Sequence, residues 1–294
     1  MNRKDITEKF VLTLLVISFS ACSVLGQWWY DHLDNYLASY FLEYAEFSNK
    51  QKNYIRKVTK KYHNWNSTFE LPKYRELLVE VKNLSGKTTN KDIEKIRIKG
   101  WALVQESSNF FTPYITTFCK NLTDTQVEEI SLKRKERIEK WESSVQESKN
   151  EDTIKDSIKL FSRMSRFLGV KLNETQKNEL KRLYSNIENS EIDTIERQKV
   201  WNEKFVSILK SRREESFHSV LKVHLDSLLV RQQGEKENAY NEMIAITIAS
   251  LNEKQKAKFL SRISFFILSL DKIIKSQEES LIDELEYFSP HHGQ

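Results

Sequence analysis

Four residues closing an N-terminal apolar run, Phe19, Ser20, Ala21 and Cys22, have types and spacing suited to chemistry. Two small side chains ahead of a cysteine open the backbone to a peptidase, and a thiol is a nucleophile that can be modified. The run before them has the layout of a secretory leader. Arg3, Lys4 and Lys9 form a charged start, and Phe10 to Phe19 is apolar apart from Thr13 and Ser18. A bilayer span needs about 20 apolar residues and this run is about half that, so a cleaved leader is expected rather than a membrane-spanning anchor.

Phe19-Ser20-Ala21-Cys22 resembles a bacterial lipobox, with Phe19 standing where that pattern prefers Leu. The resemblance implies cleavage before Cys22, two acyl chains on its sulfur and one, of the palmitate kind, on its amine. Several chains anchor a protein durably, since each buried methylene contributes about 0.8 kcal/mol. Ser23, where Asp would favour inner-membrane retention, implies the periplasmic side of the outer membrane. The implied partner is therefore the membrane, held through lipid on Cys22. With Cys22 acylated only Cys119 remains, so no disulfide framework is expected, and its setting beside Phe118 reads as a buried structural thiol.

The elements behind this anchor read as helices. Three Pro and six Gly in 294 residues leave few breaks, and 30% of residues are charged. The expectation is an all-α, multi-helix bundle of about ten helices behind a lipoprotein signal peptide. The organisation expected is a signal peptide over 1–21, a lipidated tether over 22–27, a single helical domain over 28–278 and a flexible tail over 279–294. The first helix carries Tyr30, Leu33, Leu37, Tyr40, Phe41 and Tyr44 and ends near Glu46; Trp28 and Trp29 sit at headgroup level or in the core. A second helix buries Tyr54, Ile55, Val58, Tyr62 and Trp65, Pro72 opens a third, and Pro113 breaks or kinks the one that begins near Asn90. Gly169 suits a left-handed helix end. The last helix, with Phe259, Ile263, Phe266, Ile267, Leu270, Ile273 and Ile274 on its stripe, is expected at the centre of the bundle.

Four helix starts share one form, an apolar residue, then Ser, Thr or Asn, then Gln three residues later: Ser48 and Gln51, Thr123 and Gln126, Asn173 and Gln176, Asn252 and Gln255. Each is a capping box, in which the cap side chain accepts an early backbone N–H and the Gln reaches back to the cap's own N–H. Their unequal intervals exclude a regular solenoid. The motif resembles the Leu-Thr-x-x-Gln motif of the Spy and CpxP type of periplasmic stress chaperones, which implies unfolded clients as possible partners.

A closer resemblance covers most of the chain. Cys22, Trp29 to Asp34, Phe47 to Gln51, Trp65-Asn66 and Glu70 to Tyr74 resemble the DUF6279 family of uncharacterised proteobacterial lipoproteins, whose pattern carries His where this chain has Asn66. The family implies no activity.

Phosphate loops, Cys-x-x-Cys pairs and His-Glu-x-x-His helices are missing from the sequence, and no cofactor, metal or enzymatic activity is expected. The net charge of +5 is spread over intermixed acids and bases. The densest basic run, Lys133, Arg134, Lys135, Arg137 and Lys140, could meet lipid phosphates but is interleaved with Glu136 and Glu139. Export and charge together disfavour nucleic acid. The function expected is a non-enzymatic outer-membrane lipoprotein acting through envelope or protein contacts, with a chaperone or envelope-stress adaptor as the alternative.

Overall fold

A computed structural model describes residues 24–148, 153–185, 191–230 and 234–288; Phe19 to Cys22, where a lipobox is expected, lie outside them, as do Ser289 to Gln294. The described residues form an all-α multi-helix bundle, 85% helical and without strands. In chain order the helices are α1 (Val24–Asp31), α2 (Leu33–Leu42), α3 (Asn49–Trp65), α4 (Leu71–Lys82), α5 (Asn90–Lys120) and α6 (Asp124–Ser148). After these come α7 (Thr153–Phe167), α8 (Glu174–Tyr184), α9 (Glu191–Lys210), α10 (Phe217–Asp226), α11 (Glu235–Ala249) and α12 (Glu253–Phe288).

Two apolar cores hold the helices together. The larger gathers on α12, whose Phe259, Ile263, Phe266, Leu270 and Ile273 are all buried, and takes in Tyr30, Leu71, Leu78, Leu103, Leu172 and Leu180. The other joins α2, α3, α6, α9 and α10 through Ala38, Ile55, Val127, Leu209 and Leu221, with Phe47 and Leu122 from the turns before α3 and α6. The apolar stripe of the last helix thus does what its width predicts: α12 packs along α4 and against α1. Cys119 is buried without a disulfide, and burial pushes its thiol up to about 12.

Several boundaries differ from the sequence reading, each for a local reason. The first helix is interrupted at His32, where the imidazole Nδ1 lies 2.7 Å from the Trp28 carbonyl and the His32 N–H turns back to Trp29. Pro72 stands in the first turn of α4, as expected of a helix-opening proline, but no loop sets that helix apart. Asn66–Glu70 form a π-helical turn that joins α3 to α4 in one rod, the Leu71 N–H reaching back five residues to the Asn66 carbonyl. Pro113 does not end α5, which runs on to Lys120. Packing of Phe110, Phe111 and Phe118 into the cores offsets the lost hydrogen bond, a penalty of about 3 kcal/mol in an isolated helix. The tail expected from residue 279 is helical to Phe288.

The basic run on α6 is paired from within. Arg134 lies over the Trp201 ring and bonds Asn202, and Arg137 lies over Tyr44, bonds its hydroxyl and pairs with Glu43. Lys133 and Lys140 meet Glu136, and Lys135 meets Glu139.

Gly169 ends α7 with φ of +83°, its N–H bonded to the Arg166 carbonyl and the next N–H to Ser165. A Cβ there would stand 2.8 Å from the Lys258 carbonyl of α12, so glycine is required both by backbone conformation and by close approach. Gly169→Ala should destabilise the fold by about 2 kcal/mol or more in urea unfolding. Gly86→Ala, at an exposed site whose nearest neighbour is 3.8 Å away, should be neutral or slightly stabilising.

Candidate functional site

The four Gln-bearing helix starts form their capping boxes and then do more. Each cap side chain accepts from the Gln backbone N–H, and each Gln Oε1 accepts from the cap N–H, at Ser48/Gln51, Thr123/Gln126, Asn173/Gln176 and Asn252/Gln255. The starts then meet in two pairs. Gln51 and Gln126 exchange amide bonds, Nε2 to Oε1 at 2.9 Å in both directions. Gln176 and Gln255 do the same at 3.3 and 2.9 Å.

The second hydrogen on each Nε2 follows one rule, donating to the carbonyl two residues before the partner's cap. Gln51 donates to Asn121, Gln126 to Glu46, Gln176 to Ser250 and Gln255 to Lys171. Both hydrogens and both lone pairs of every amide are therefore used, in a largely buried setting. The local motif shows the caps; the pairing is a tertiary event that its spacing does not carry. A fifth capping box, Thr89 with Asp92, opens α5 and carries an acid where the other four carry Gln.

A second polar centre lies on the α3–α4 rod. The π turn buries Asn66, Ser67 and Glu70, with the Glu70 side chain fully enclosed. The Tyr30 hydroxyl donates to Asn66 Oδ1 at 3.0 Å, Asn66 Nδ2 to the Tyr62 hydroxyl at 3.4 Å, and Tyr62 and Ser107 hydroxyls meet at 3.0 Å. The His63 Nε2 lies 3.0 Å from the Tyr30 carbonyl. Lys73 reaches Glu70 Oε1 at 3.2 Å and also pairs with Glu106 on α5. Glu70 Oε2 meets no hydrogen-bond partner.

The electrostatics follow burial. Desolvation, then the neighbouring Glu106, push the Glu70 carboxyl from 4.5 up to about 7. Glu106 is lowered by its bonds to Lys73 and Glu70, and Lys73 is raised chiefly by Glu106. Burial pushes Tyr62 up to about 12 and holds Tyr30 and Tyr74 well above the usual tyrosine range. A signal for this centre exists in the sequence: Tyr62, Asn66, Glu70 and Tyr74 recur every four residues, and all are buried. Opening a new helix at Pro72 cuts that register.

A shallow cleft of about 500 Å³ lies by α9 and α10, lined by Trp201, His224, Lys204 and Glu196 among others. Trp201 and His224 stack at 4.3 Å, and the His224 Nε2 lies 3.0 Å from the Trp201 carbonyl. Among the described residues no three His, Cys, Asp or Glu side chains converge as a metal site would require. Nor does any described helix have the length and apolarity to cross a membrane.

Capping and pairing can be separated by mutation. A capping box accepts Glu in place of Gln, so capping alone predicts little change for Gln126→Glu. Here the carboxylate would face the Glu46 carbonyl and the Gln51 amide oxygen without a hydrogen to donate. A loss of about 2 kcal/mol is expected by urea unfolding, reduced when Gln51→Ala is already present.

No curated protein and no solved structure matches this chain. A family model does match, over residues 43–240, which takes in the π turn, the Gln51/Gln126 joint and the Asn173/Gln176 cap. The chain belongs to DUF6279, a family of unknown function.

Proposed function

We propose that the protein is a non-enzymatic, lipid-anchored protein of the outer membrane, whose helical body acts through envelope or protein contacts from the periplasmic face. The observation that carries this reading is how soon the folded body begins after Cys22. Helix α1 starts at Val24 and is tied to the central helix, Gln27 Nε2 donating to Ser276 Oγ at 3.1 Å and Gln277 Nε2 to Asp31 at 3.4 Å. Five residues lie between Cys22 and Trp28, so that even fully extended the six steps reach no more than about 22 Å.

Trp28 is 52% exposed, whereas Trp29 stacks on Tyr36 and packs against the larger core. An indole so placed suits the headgroup layer, where amphipathic rings are favoured. The non-enzymatic part of the reading is supported by how the reactive groups are used. Cys119 is buried with a raised thiol, and His63 and His224 each lie against a backbone carbonyl.

A chaperone is the second reading. On its side stand exposed apolar side chains along α10 and the turn after it, Val220, Val223, Leu228 and Val230. Against it, the Gln amides that prompted the comparison are fully occupied with one another.

Replacing Cys22 with Ala should move the protein out of the membrane fraction, and unchanged fractionation would sink the anchor. Crosslinking in intact cells with mass spectrometry should capture envelope proteins with the anchored form. Suppression of client aggregation by residues 23–294 would favour the chaperone reading instead.

A further inference from the structure

Among the described residues, Trp141 Nε1, Asn241 Nδ2 and Glu70 Oε2 are buried without a hydrogen-bond partner, and of the three only Glu70 Oε2 belongs to a carboxylate. Glu70 has no solvent exposure, its Oε1 takes the Lys73 ammonium at 3.2 Å, and its Oε2 is enclosed without a partner. An enclosed carboxylate oxygen with no donor keeps the full cost of its lost hydration. The group beside it is the Glu106 carboxylate, which touches the same ammonium and lies within hydrogen-bonding reach of Glu70. Two carboxylates cannot bond to each other, because both only accept; a proton on one of them supplies the missing donor.

We propose that Glu70 and Glu106 form a one-proton site, in which Glu70 carries the proton and donates it to the Glu106 carboxylate while the Lys73 ammonium bridges the two. The proton comes from water and returns to it. In the protonated state the trio is neutral: one acid, one carboxylate, one ammonium. On release, two carboxylates share a single ammonium and the trio carries one negative charge, half of it in an enclosed position. The site joins the α3–α4 rod to α5, and α12 packs against the π turn that positions Glu70. Proton binding therefore tightens a junction of three parts of the fold.

The other groups around the site are accounted for. Tyr62 and Tyr74 on the same rod, and Tyr30 of α1 reaching it through Asn66, are held neutral by burial. Ser107 of α5 bonds Tyr62, His63 faces the Tyr30 carbonyl, and on α12 Asp271 pairs with Arg75. Lys73 and Glu106 are the charges in direct contact with Glu70 among the described residues.

The sign follows from proton counts. The Glu70 carboxyl is raised from 4.5 to about 7, so between those values the folded protein holds a proton that the unfolded chain has released. Stability falls as pH rises through that window. Glu106, being lowered, acts with the opposite sign below pH 4.5, outside the window.

Infrared difference spectroscopy of the whole protein reads the proton directly. A protonated-carboxyl stretch, shifted in heavy water, should titrate away near pH 7. It should be missing in Glu70→Gln, whose amide donates in the acid's place. Glu106→Gln should lower the midpoint by about one pH unit or more, since an amide donor and the loss of a neighbouring negative charge both favour ionised Glu70. No protonated carboxyl above about pH 6 in the native protein would overturn the proposal, as would a band that survives Glu70→Gln. Should Glu70→Gln fail to fold, Glu106→Gln decides, because an unmoved midpoint means that the two groups do not share the proton.

Discussion

The reciprocal amide pair is the interaction on which this structure most depends. A primary amide has two hydrogens and two lone pairs, and each paired Gln uses all four: one on its own cap, two on its partner Gln, one on the partner's backbone. Any change of angle between the two helix starts breaks several of these at once. Each core borders one such joint. Phe47, Leu122 and Val127 surround Gln51 and Gln126, and Leu172, Leu180 and Phe259 lie around Gln176 and Gln255. The same bonding rule at both joints, down to the carbonyl two residues before the cap, marks an internal repeat of the joint rather than of a regular helical unit.

Most of the helices were legible in the sequence because their signals are local. The caps at Ser48, Thr123, Asn173 and Asn252 fall where the pattern puts them, and Gly169 takes the left-handed conformation that its position suggests. The centrality of α12 was legible from its broad stripe. What escaped depends on contacts distant in sequence. Nothing local pairs Gln51 with Gln126 rather than with Gln176. Pro113 is a strong local stop signal that α5 runs through, and Pro72 opens α4 as its position suggests, but the π turn that joins α4 to α3 without a loop has no local signal.

The charges divide in the same way. A run of five bases on α6 looks like a surface for phosphates, yet two of its arginines turn to Trp201 and Tyr44, and the lysines meet Glu136 and Glu139. One-dimensional charge density does not say which side chains face inward. The buried Glu70 is the reverse case, a charged residue type that sits enclosed beside Tyr62 and Tyr74.

The glutamine joints bring helix N-termini together, and those are like poles. Each terminus carries about half a positive charge, so two placed side by side repel. The first turns answer with acids: Asp124 on α6, Glu174 on α8 and Glu253 on α12. Helix α3 has none, and beside it Glu129 of α6 accepts the Glu46 N–H at 2.8 Å, lending its partner's carboxylate. The joints are thus small electrostatic assemblies as well as hydrogen-bonded ones, and ionic strength reaches them through their exposed acids. Asp124 is the most committed of these, because it also holds Arg212 and Arg213 at the end of α9. One carboxylate there quiets a helix dipole and ties the first joint to the second core.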